Sequence, residues 1–138
     1  MLAALQATVG GIDQSVFKAG SCLSGGVVGR GETCGALTGG MLAIGAAVGR
    51  ERLEDIPQLR AARAIATELY ERFGKEVGHT LCAEVHRIKF GRPYRLYDPE
   101  EFKAFEAAGG HDASGCPDVC RKAARITADM LLRLRQAT

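Results

Sequence analysis

Between Ile56 and Val77 the apolar residues Leu59, Ala62, Ile65, Ala66, Leu69 and Phe73 recur at the i, i+3, i+4 spacing of an amphipathic helix, with Arg60, Arg63, Glu68 and Arg72 on the other side. A stripe of that period is helical and has to be buried against partners of the same kind. The rest of the chain supplies them. Leu2 to Val9 reads as a short apolar helix stopped by Gly10 and Gly11, and Asp13 caps a second that ends in the glycines after Cys22. Thr33 to Val48 forms a helix in which Gly35, Gly39, Ala43 and Ala46 leave one face nearly free of side chains, so another helix packs closely there. After Gly78, His79 to Lys89 continues as a short helix. Gly91 to Pro99 carries two prolines and two tyrosines and reads as an extended connector or a short strand.

Pro99 with Glu100 and Glu101 opens a small helix through Ala108, and Gly109 to Gly115 is a loop. The last helix starts at Pro117, a favoured first position, with Val119, Ala123, Ile126, Met130 and Leu134 inward. The expected fold is all-α, a single domain over residues 1–138 built as a multi-helical bundle of about five to six helices. The turn between the second and third helices holds Gly25, Gly26, Gly29 and Gly31, a density that implies positive φ angles or close backbone approach.

Charge excludes several functions. A net charge of +2, with both signs scattered, gives no broad footprint for nucleic acid or an anionic membrane. Arg121, Lys122, Arg125, Arg133 and Arg135 make the last helix the most basic stretch, and spaced around a helix they form a solvated face. Met1 to Gly10 lacks the basic residue and long apolar run of a secretory signal, so the cytoplasm is the expected compartment. Thr33 to Gly49 falls short of the roughly 20 apolar residues of a spanning helix, and it carries five glycines. The chain is therefore not expected to be embedded in a membrane.

Five cysteines in such a chain point to metal, catalytic or redox roles rather than to a disulfide framework. Cys116 precedes Pro117 at the expected N-cap of the last helix, where free N–H groups and the helix dipole favour a thiolate. Cys120 lies one turn on, so both sulfurs can face one side. Cys34 repeats the arrangement in the first turn of the small-residue helix, with Arg30 near in sequence. Cys82 has His79 at i−3 and His86 at i+4, one thiol and two imidazoles along one helical stripe, a set compatible with metal ligation. The glycine-rich turn is not a phosphate loop, because neither the Lys-Ser/Thr pair nor a preceding strand is present.

The stretch Gly25 to Gly40, with Cys34-Gly35-Ala36-Leu37-Thr38-Gly39 at its centre and Gly45 beyond, resembles the signature of the redox-active family named for its cysteine pattern, C_GCAxxG_C_C. The order here is Cys-Gly-Ala where the family name spells Gly-Cys-Ala. Arg72-Phe73 with Leu81-Cys82 resembles its third cysteine region, and Cys116 or Cys120 its fourth, so the resemblance spans about residues 1 to 135. It implies a helical protein that is redox-active through four cysteines. A similar domain accompanies haem in split-Soret cytochromes, which implies an iron–sulfur cluster as the candidate cofactor, with zinc or none as alternatives. Members often lie near transporter genes, so an unidentified redox partner, transporter-associated in one version, is implied, and a homo-oligomer stays open. The family's first cysteine belongs in the first helix, and Met1 to Val9 has none. Three options follow: the start lies further upstream, Cys22 substitutes, or Cys116 and Cys120 supply both positions.

The resulting expectation is a redox protein in which Cys34, Cys82, Cys116 and Cys120 act together, as cluster ligands or in thiol–disulfide exchange. Without metal, Cys34 and Cys116 are the expected attacking groups. The competing expectation is a zinc-binding or structural helical interaction module, with Cys34, Cys82 and two further ligands around the metal.

Overall fold

The computed structural model describes residues 1–137, and among them the chain forms seven α-helices and no strand. In order they are α1 (Leu2–Thr8), α2 (Gln14–Ala19), α3 (Gly35–Val48), α4 (Ile56–Val77), α5 (Cys82–Phe90), α6 (Pro99–Ala107) and α7 (Cys116–Gln136), with a 3-10 helix, Gly20–Leu23, after α2. The count exceeds the five to six expected. Helices as short as α1, α2, α5 and α6 are marginal in isolation, and here caps and tertiary contacts hold them. Asp13 accepts from the Ser15 N–H to start α2, and Asp98 accepts from the Glu100 and Glu101 N–H groups to start α6.

Three long helices form the frame: α3 packs on α4 and α7, and α4 packs on α7. Asp55 caps α4 by accepting from the Gln58 N–H, and Gly78 ends it in the left-handed conformation. The apolar stripe of α7, Val119, Ala123, Ile126 and Met130, is buried against Leu69 and Phe73 of α4 and Leu37 and Ile44 of α3 in one core. Close packing on α3 is real but covers only part of the expected face. A Cβ at Gly39 would touch Met1 and Leu2, and one at Gly40 would press on Leu69 and Thr127 at 2.8 Å. Ala46, by contrast, is exposed, and Gly45 has no neighbour within 4 Å.

The glycine-rich turn adopts an uncommon path. Gly25, Gly26, Val27, Val28 and Gly29 have φ angles of 64°, 69°, 63°, 45° and 75°, a left-handed run that glycine tolerates and β-branched residues resist. It is held by backbone bonds, including Val28 N–H to Cys22 O at 3.0 Å and Gly31 N–H to Gly25 O at 3.0 Å. Leaving the turn, the chain meets the start of α5: Cys34 N–H donates to Thr80 O at 2.8 Å, Cys82 N–H to Glu32 O at 2.7 Å and Ala83 N–H to Gly31 O at 3.1 Å. Thr33 and Leu81 thereby form an isolated antiparallel bridge. Residues 91–98, where an extended connector or a short strand was expected, form an irregular connector of bends and one turn, with no strand among the described residues.

These glycines differ in what a methyl group would meet. Gly26→Ala puts a Cβ 2.5 Å from the Glu32 backbone at a φ of +69°, and is expected to cost more than about 2 kcal/mol. Gly45→Ala enters open space in the body of α3 and is expected to gain about 1 kcal/mol. Urea unfolding of the two variants beside the parent checks both signs.

Candidate functional site

Three helix starts converge where the bridge holds the chain. Cys34 is the residue just before α3, Cys82 is the first residue of α5 and Cys116 is the first of α7. Cys116 was expected at the N-cap, but Gly115 occupies that position. Gly115 has no room for a side chain, since a Cβ there would lie 2.3 Å from Gly109 O. Cys120 follows one turn into α7, on the same side as Cys116.

All four thiols line one cavity of about 650 Å³. Its wall is mainly apolar, with Leu2, Val28, Leu96, Phe102, Phe105 and Val119 among the lining residues, and His86 and His111 supply imidazoles. Cys34 and Cys82 are buried, and Cys116 and Cys120 are partly so. Cys22 is exposed at the end of the 3-10 helix and does not line the cavity.

Burial governs the electrostatics of these groups. Burial first, and neighbouring thiols second, push the Cys82 thiol up to about 12 and the Cys116 thiol up to about 11, the latter against a lowering by Lys89. At the start of α3, backbone N–H groups of Ala36 and Leu37 point at the Cys34 sulfur and favour its thiolate, as the helix-start argument requires. Desolvation outweighs them, so the Cys34 thiol also titrates above its ordinary value. Arg30 gives it no help, because its guanidinium lies over the Tyr97 ring at 3.8 Å. The cysteines influence one another electrostatically: Cys34 with Cys82, Cys116 and Cys120, and Cys116 with Cys82 and Cys120.

The stripe expected around Cys82 splits. His79 lies before α5, exposed, with its Nδ1 accepting from the Leu81 N–H at 3.1 Å. His86 remains on the helix and is buried at 1% exposure. Its Nε2 lies 3.7 Å from Cys82 Sγ and 4.0 Å from Cys116 Sγ. Phe105 stacks on the ring at 5.0 Å, and Phe90 and Tyr94 meet it edge to face. Burial lowers the imidazole pKa, so it is neutral near pH 7. Among the described residues no set of three or more His, Cys, Asp or Glu is placed to hold one metal ion.

One ion-pair cluster fixes the start of α7 to the end of α5. Asp118 accepts from Lys89 at 3.0 Å and pairs with Lys122 at 3.0 Å and with Arg121. Lys89 also donates to Ser114 O at 3.0 Å. Of these residues, Arg121 and Lys122 were expected only as part of a solvated face. The missed signal was Lys89, in the last turn of the preceding cysteine helix.

The family model described as "Putative redox-active protein (C_GCAxxG_C_C)" matches residues 1–130. No match is found among curated proteins or among solved structures. Among the described residues no helix is long and apolar enough to cross a membrane.

The cations around Asp118 hold its carboxyl well below the usual carboxylate range. A lowered folded-state pKa gives stability that is present above the unfolded value and lost as pH falls through the folded one. Asp118→Asn is therefore expected to cost about 1–2 kcal/mol at pH 7. The gap from the parent should begin to narrow below about pH 4 and close only at still lower pH. Denaturant melts of both proteins across that range test it; a gap independent of pH would refute it.

Proposed function

The chain belongs to the C_GCAxxG_C_C family, matched over residues 1–130, and from that premise we propose that it is a redox protein whose Cys34, Cys82, Cys116 and Cys120 hold an iron–sulfur cluster. The observation that carries this reading is the convergence of four thiols on one cavity of about 650 Å³ from three helix starts.

Two further observations favour a cluster over the alternatives. A single zinc ion needs its donors gathered about one point at about 2.0–2.3 Å, and no trio among the described residues is so gathered. A four-iron cluster would instead take each thiolate at a separate iron, over a larger body. Thiol–disulfide exchange needs a ready thiolate, whereas burial raises the Cys34, Cys82 and Cys116 thiols. Ligation removes that obstacle, because a coordinated thiol is deprotonated by the metal itself.

When bound, such a cluster would supply a store for a single electron. The chain's own residues supply the rest. Cys34 takes the most prepared position, with the Ala36 and Leu37 N–H groups already directed at its sulfur. Cys116 and Cys120 present two sulfurs from one helix face, and Lys89 with Asp118 keeps that helix registered against α5 and hence against Cys82. Phe102, Phe105, Leu96 and Val119 line the cavity with apolar surface, which keeps water from the sulfurs and sets a low local polarity.

Anaerobic purification, followed by an absorption spectrum and metal analysis on the same sample, tests the reading. The expected result is a broad visible band with iron and acid-labile sulfide. Cys34→Ser should lose most of both, and Cys22→Ser should keep them, since its thiol is outside the cavity. Colourless, metal-free protein would overturn the cluster in favour of dithiol chemistry, and stoichiometric zinc would favour the structural-metal alternative.

A further inference from the structure

His86 lines the cavity and has no part in the four-cysteine reading. It sits one turn after Cys82 in α5, and its Nε2 faces two sulfurs, Cys82 Sγ at 3.7 Å and Cys116 Sγ at 4.0 Å. The other ring nitrogen, Nδ1, is buried with no hydrogen-bond partner among the described residues. Aromatic rings occupy its surroundings: Phe105 stacks on the imidazole, and Phe90 and Tyr94 stand at 5.8 and 6.0 Å.

A neutral imidazole has one proton for two nitrogens. With the proton on Nδ1, the ring would bury an N–H that lacks an acceptor among the described residues, and Nε2 would be left to accept from a Cys82 or Cys116 S–H, a weak donor. With the proton on Nε2, one N–H lies where two sulfur acceptors can share it, and only a lone pair stays unpartnered at Nδ1. Buried N–H groups without a partner are rarer than under-satisfied acceptors.

We propose that His86 holds its proton on Nε2 and shares that N–H between the sulfurs of Cys82 and Cys116, as a positioning residue for this pair. The proposal deepens the cluster reading and rests on it for the role of the sulfurs, but the location of the proton does not depend on metal. Three consequences follow. The ring, clamped by Phe105, holds the start of α7 against the first turn of α5 through the two sulfurs. Its N–H draws charge from sulfur, and hydrogen bonds to ligand sulfurs are one of the levers that set a cluster's potential. The donor also distinguishes Cys82 and Cys116 from Cys34, whose sulfur is served by backbone N–H groups instead.

The first test needs no metal. Full-length, reduced, metal-free protein labelled with ¹⁵N at histidine is examined by long-range proton–nitrogen correlation, which separates the two tautomers by pattern. His86→Gln assigns the signal among the three histidines. The Nε2–H pattern for His86 is expected. An Nδ1–H pattern, with that N–H directed at the Phe90 or Tyr94 ring, or a doubly protonated ring, overturns the proposal.

The second test uses iron- and sulfide-loaded protein. His86→Leu, which fills the space without a donor, should lower the reduction potential by the equivalent of about tenfold in the electron-transfer equilibrium, or about 59 mV for one electron. His86→Gln, which can return an N–H, should fall between. Equal potentials in the parent and His86→Leu overturn the tuning role. A chain that takes up no iron overturns the cluster reading, while the tautomer still decides this one.

Discussion

Three backbone hydrogen bonds, from Cys34 to Thr80, Cys82 to Glu32 and Ala83 to Gly31, tie the exit of the glycine-rich turn to the start of α5. The arrangement around the cavity depends on them, because they set Cys34 beside Cys82 before any side chain is considered. Their length requires two backbones to run in contact, and the glycines make that possible. A Cβ on Gly26 would fall 2.7 Å from Cys82 Cβ, and one on Gly31 would fall 3.1 Å from the Ala83 side chain. Val27 and Val28 share the left-handed run without glycine's freedom, at a cost of roughly 1–2 kcal/mol each. The surrounding hydrogen bonds hold that strain at the edge of the cavity, where Val28 is a lining residue.

The third helix start reaches the same place by other means. Gly110 lies under the Phe105 ring, and its carbonyl accepts from the Cys116 N–H at 3.0 Å. Asp118 then anchors to Lys89, with both side chains less than a fifth exposed. Such a pair is worth more than a fully solvated one because water screens it less. Backbone contact thus fixes Cys34 and Cys82, whereas a charge cluster and a glycine corner fix Cys116 and Cys120. The resulting enclosure desolvates Cys34, Cys82 and Cys116, which keeps these thiols protonated without metal and makes them poor spontaneous nucleophiles.

Much of the helical frame was legible in the sequence. The period of Leu59 to Phe73 fixed α4 to its observed limits, Ile56 and Val77, and the inward list for α7 matches its buried residues through Met130. Each short helix was legible as a segment from its caps and breakers, but six to nine residues carry too little periodicity to establish which of them stand as separate helices, and their stability comes from neighbours. The stripe of His79, Cys82 and His86 failed for a related reason. Helical spacing aligns residues only if the helix is continuous, and the bridge at Thr33 and Leu81 makes the chain extended just before Cys82. His86 was visible at i+4 from Cys82, but nothing local revealed that Cys116, thirty positions away, would approach the same nitrogen.

The sequence alone determined that this chain is helical, which faces of α4 and α7 are buried, and that its glycine-rich turn requires positive φ angles or close backbone approach. Those properties follow from side-chain period and from backbone sterics, which act over a few residues. Tertiary structure decided that Cys120 joins Cys34, Cys82 and Cys116 around the cavity while Cys22 stays outside it. It also decided that the Cys34, Cys82 and Cys116 thiols titrate above their ordinary value. A helix start favours a thiolate through local N–H groups, but desolvation is the sum over every element that closes the cavity, and here it is the larger effect.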